Sequence, residues 1–118
     1  GVFRGWHRAF AGLALMACAA GLHAQPVPPT AQRQQELVRM VRQDCGSCHG
    51  LRLTGGLGPA LTREALADKP IGSLAATIYG GRPGTPMAPW KAMVNEAEAL
   101  WIAQQLMAGF PEPQKDSR

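Results

Sequence analysis

An all-α domain is what this sequence predicts, and three observations carry the prediction. Apolar residues recur at helical spacing near both ends, as Leu37, Val38 and Val41 and again as Ala99, Ile102, Ala103 and Leu106. No stretch alternates apolar and polar residues as a half-buried strand does. The 118 residues include 14 glycines and 10 prolines, about twice the usual share of roughly 12%, which places long structured loops between helices. A hydrophobic content of 46% excludes wholesale disorder. The net charge of +4 is too small for a nucleic-acid arm, so no nucleic-acid partner is expected. Aromatic residues make up only 6%, a thin core unless something else fills it.

The N-terminal stretch reads as an address. Arg4 and Arg8 precede an apolar run from Ala9 to Leu22, and Ala24 stands before Gln25. Residues 1–24 are therefore expected to be a secretory signal peptide, cut after Ala24 or, with better small-residue spacing, after Ala19. The run falls short of the roughly 20 residues of a membrane span. Export to the periplasm follows, with no integral span after signal removal. Leu15-Met16-Ala17-Cys18 also resembles a lipobox, which would leave a lipidated Cys18 as an anchor. The apolar run continues to Leu22, which favours Cys18 leaving with the signal. With the cut after Ala24, His7 and His23 leave as well, so the exported chain keeps Cys45, Cys48 and His49 as its only Cys and His residues.

Residues 25–30 (Gln-Pro-Val-Pro-Pro-Thr) form a Pro-rich linker ahead of a domain over 31–110. A first helix should run from Ala31 to about Asp44, with Arg33, Glu36, Arg39 and Arg42 off its apolar face. Residues 46–59 hold five glycines and a proline and read as loop. Thr62 can cap a short helix to Ala67, and Ser73 another through Ile78, stopped by Gly80-Gly81. Pro83, Pro86 and Pro89 exclude regular structure over 82–89. Asn95 with Glu98 makes a capping box for the last helix, which Gly109 and Pro111 end. Residues 111–118 are expected to be a flexible tail.

Cys45-Gly46-Ser47-Cys48-His49 is C-x-x-C-H, the attachment pattern of c-type heme. Two thiols at this spacing reach the two vinyl groups on one porphyrin edge, and the next imidazole is carried under the iron. Three other readings are weaker. A disulfide gives His49 no role, a thioredoxin-type site wants a βαβ setting, and zinc needs four ligands where three side chains remain. With no second histidine in the exported chain, the sixth iron ligand should be a methionine. Met40, Met93 and Met107 lie in or beside helices and read as packing residues. Met87 lies in Thr85-Pro86-Met87-Ala88-Pro89, a stiff loop, and is the expected distal ligand. A water-bound open site, or Met93, is the alternative. Leu53, Leu57, Leu61, Leu66, Leu74, Ile78, Trp90 and Leu106 are expected apolar lining. Tyr79, Trp90 and Arg82 could donate to heme propionates.

The order of these features resembles a class I monohaem cytochrome c over residues 31–110. The resemblance implies crossing N- and C-terminal helices, Leu37/Val41 against Ile102/Leu106, with short helices and loops wrapped around one covalently bound heme. It also implies that Pro59, of Gly58-Pro59, offers its carbonyl to His49. Cys45 to Leu51, Gly55-Gly56-Leu57-Gly58-Pro59-Ala60-Leu61, Gly81 to Met87 and Pro89-Trp90 are most similar to the small periplasmic NirC-type cytochromes, encoded with the dissimilatory nitrite reductase of the heme-c/heme-d kind. That implies a monomeric one-electron carrier in denitrification, not an enzyme, with nitrite reductase as redox partner. The alternative is an accessory factor for assembly of that reductase or its d-type heme. Residues 45–93 carry five Lys/Arg against two acids, and residues 94–118 two against four, so a basic heme-bearing face toward an acidic partner is also expected.

Overall fold

The computed structural model describes residues 27–111; the expected signal peptide and all but the first residue of the expected tail lie outside them. The described residues are helical, with no strand. Helix α1 spans Ala31–Met40, opened by Thr30, whose hydroxyl accepts from the Arg33 N–H. The backbone does not stop near Asp44. It widens into a π-helical turn, Val41–Cys45, and continues as α2, Gly46–His49. Residues 46–49 of the C-x-x-C-H motif, which the glycine content assigns to a loop, are instead helical. Gly46 is buried with an ordinary helical φ of −62°, so the winding passes through it. Gly50, at φ +93°, ends it.

Helix α3, Arg63–Leu66, is capped by Thr62, which accepts from the Ala65 N–H. Helix α4 covers Ile71–Gly80, three residues earlier than a Ser73 cap would allow. Pro70 starts it instead. Its φ of −64° is preset for a helix entrance, and its carbonyl accepts from Ser73 and Leu74. Helix α5, Glu96–Ala108, carries the full reciprocal capping box between Asn95 and Glu98, and Gly109 ends it at φ +88°.

One buried cluster joins the two ends of the domain: Leu37 and Val41 from the first helical stretch, Ile102 and Leu106 from α5, with Leu53, Leu66, Val94 and Ala99. Burying one such leucine contributes about 2–3 kcal/mol. Leu61, Leu74, Ile78 and Trp90 are partly buried against the cluster. Leu57, expected as lining, is 86% exposed, because the turn around it bonds through its backbone and turns the side chain outward. Met40 and Met107 pack on the cluster, whereas Met93 is half exposed. At the end where α1 meets the start of α5, Arg33 binds Glu98 through Nε, Glu36 at 2.9 Å and the Met93 carbonyl at 2.9 Å. The fold thereby holds the π-turn and α2 against the rest of the chain.

Candidate functional site

Cys45 and Cys48 lie three residues apart on one continuous helical stretch, so both thiols fall on the same side. Neither is in a disulfide. Burial pushes the Cys45 thiol up to about 11, with the nearby Asp44 carboxylate and Cys48 adding to the effect. Cys48 is exposed. Ser47, between them, turns its hydroxyl to the Asp44 carbonyl at 2.8 Å.

The Gly-rich segment after α2 folds back onto it. The Gly58 N–H donates to the Cys48 carbonyl and the Gly55 N–H to the His49 carbonyl, each at 2.8 Å. This brings Pro59 over the imidazole, with His49 Nδ1 2.7 Å from the Pro59 carbonyl oxygen. A carbonyl can only accept, so Nδ1 carries the proton and Nε2 keeps its lone pair free. Gly58 makes the approach possible. A Cβ there would stand 2.6 Å from His49 Cε1 and 2.7 Å from Nδ1. No sequence motif flagged Gly58 as more than a loop glycine. Its role depends on a contact nine residues away in the chain.

Met87 comes from a different part of the molecule, the loop between α4 and α5. Its N–H donates to the Thr85 hydroxyl, and its carbonyl accepts from the Arg82 N–H at 3.1 Å. The far side of the loop is fastened by Trp90 N–H to the Ile78 carbonyl and Lys91 N–H to the Tyr79 carbonyl. Gly81, at φ +69°, lets the loop return against α4. A Cβ there would come within 2.6 Å of Pro89 N and 2.8 Å of the Met87 carbonyl. Met87 itself is half-buried.

The structure thus brings Cys45, Cys48, His49 and Pro59 together, and holds Met87 on a separately braced loop. Two free thiols on one helical face, a histidine with one nitrogen engaged and one free, and a loop pressed flat against the ring fit a thioether-linked heme. No group of three or more His, Cys, Asp or Glu side chains among the described residues is placed to share a metal ion. No helix among them is long and apolar enough to cross a membrane.

The family described as cytochrome C oxidase, cbb3-type, subunit III matches residues 32–105. The chain is 52% identical over 102 residues to cytochrome c55X of Stutzerimonas stutzeri, covering 86% of this chain and 90% of that one. It resembles the solved c-type cytochrome NirC with a TM-score of 0.67 and 56% identity, over 68% of this chain and 94% of that one. It is also 36% identical over 76 residues to dihydro-heme d1 dehydrogenase of Pseudomonas aeruginosa, covering 64% of this chain but 15% of that enzyme.

Proposed function

The chain belongs to the cytochrome c family, of the cytochrome c55X kind, and on that premise we propose that it is a periplasmic one-electron carrier serving dissimilatory nitrite reduction, with nitrite reductase as redox partner. Its cofactor is heme c. Cys45 and Cys48 form the thioether anchors, His49 is the proximal ligand and Met87 the distal one. The observation that carries this assignment is the imidazole clamp: His49 Nδ1 donates to the Pro59 carbonyl at 2.7 Å, which leaves Nε2 for the iron. Bound there, the heme supplies a single-electron couple, which a thioether ligand biases toward the reduced state relative to a second imidazole.

The chain's own residues do the rest. Pro59 fixes the tautomer of His49 and strengthens its nitrogen as a donor. Gly58 sets the distance between loop and ring. The braced loop holds the Met87 thioether at one height, so little entropy is lost when the sulfur binds. With His49 and Met87 both holding the heme, the protein would leave no position open for substrate, and no residue is assigned a catalytic role. Export places the carrier in the compartment of its partner.

An optical spectrum of the exported protein tests the ligand assignment. Met87→Ala is expected to lose the Met–iron charge-transfer band while keeping covalent heme; an unchanged spectrum removes Met87 from the site. The identity to dihydro-heme d1 dehydrogenase favours a second reading, an accessory or assembly factor for nitrite reductase or its d-type heme. Deletion separates the two. A reductase with full heme complement but slow turnover supports the carrier, and one lacking d-type heme supports the assembly role.

A further inference from the structure

A cleft of about 260 Å³ lies between the segment that follows α2, the start of α3 and the C-terminal end of α5. Three arginines, Arg42, Arg52 and Arg63, line it, against one acid, Glu64. None of the three makes an ion pair among the described residues, whose two ion pairs both belong to Arg33. Arg42 is held in place. Its guanidinium stacks on the Phe110 ring at 5.1 Å and donates to the Phe110 and Pro111 carbonyls. Both acceptors are neutral, so among the described residues no acid compensates its charge, and its Nε is buried with no hydrogen-bond partner among them. A buried donor of a charged group left unpaired is costly and commonly marks a site for an ion. Guanidinium forks match the geometry of oxyanions, bidentate to carboxylate or phosphate.

We propose that this cleft is an oxyanion-binding site, in which Arg52 and Arg63 close on the anion and Arg42, fixed by Phe110, supplies the standing positive charge. The size suits a compact anion with a little water. The anion comes either free, as phosphate or a small carboxylate, or as an acidic side chain of a bound protein. The site does not depend on how the iron is ligated, and an empty cleft would leave the carrier reading intact.

The test uses the heme-loaded protein, titrated with inorganic phosphate, acetate and a tetraglutamate peptide at ionic strength held constant with potassium chloride. Amide resonances of Leu53, Thr62 and Gly109, on the cleft wall, report occupancy. Saturable shifts are expected, weakened at least about tenfold in the Arg52→Gln/Arg63→Gln double variant, consistent with the loss of charge-assisted bonds. Glu64→Gln should tighten binding several-fold by removing the one acid among the described residues that line the cleft. Arg39→Gln, the loss of one positive charge outside the cleft, should leave binding unchanged. Tetraglutamate binding tenfold tighter than acetate identifies a protein-borne carboxylate as the occupant, and equal affinities identify a free anion. Absence of saturable shifts with all three probes, or equal weakening by Arg39→Gln, overturns the proposal.

Discussion

At the scale of single residues, the site depends on two glycines whose missing side chains are what matters. Gly58 leaves no room for a methyl group against His49, with a Cβ only 2.6 Å from the ring. Gly58→Ala must push either the imidazole or the Pro59 carbonyl aside. The expected result is a weakened axial bond: the variant keeps covalent heme, but carbon monoxide or imidazole displaces an axial ligand more readily than in the parent. Gly81 acts on the other side. There a Cβ would meet backbone atoms of the Met87 loop, and φ +69° is unfavourable for any L side chain. Gly81→Ala should cost about 1–2 kcal/mol from the left-handed backbone alone, and denaturant unfolding measures it. With Met87 as the distal ligand we propose, its charge-transfer band should fade in the same variant, since the loop cannot return to its place. Of the residues at the site, Cys45, Cys48 and His49 were legible at once, because their chemistry lies in their spacing. Pro59 entered only through resemblance, and Gly58 as its neighbour and Gly81 as a helix stop carried no sign of the close contacts they make.

At the scale of elements, the capping residues were readable and the entrances set by other means were not. Thr62 and Asn95 cap α3 and α5 through side chains three residues from their partners, a relation visible in any window of sequence. Helix α4 starts at a proline whose preset φ does the work that Ser73 was expected to do. The π-turn ahead of α2 spans only five residues, too few for its wider period to show in the apolar spacing. The Arg33–Glu98 pair is the main polar tie between α1 and α5. The Arg33 guanidinium, followed by the Asn95 backbone N–H, holds the Glu98 carboxyl below its usual range, and burial only partly opposes this. A folded-state value below the unfolded one adds stability above the unfolded value of about 4.3. That contribution is lost as pH falls through the lower folded value. Glu98→Gln is therefore expected to cost about 1–3 kcal/mol at neutral pH. Its stability should also stay flatter than that of the parent below about pH 4.3. Thermal melts from pH 7 to pH 2 check both.

At the scale of the whole molecule, the charges are unevenly spread. The five basic residues of the segment 45–93, Arg52, Arg63, Lys69, Arg82 and Lys91, are all exposed. We propose that these charges serve docking; exposed positive charge speeds encounter with an acidic partner and is screened by salt, with a Debye length of about 10 Å at 0.1 M. Electron transfer to the partner should slow as ionic strength rises, measured by stopped-flow absorbance from 10 mM to 500 mM salt. A flat profile would place the charge outside the docking face.

The sequence by itself determined the cofactor chemistry, the helical class and most helix ends. Each of these is written in residues at most a few positions apart, where spacing alone decides which side chains share a face or a turn. Tertiary structure alone decided that His49 and Pro59 meet at 2.7 Å, that Arg33 reaches Glu98 across 65 positions, and that three scattered arginines converge on one cleft. Such meetings depend on the path of the whole chain, and a periodicity read along one dimension carries no record of that path.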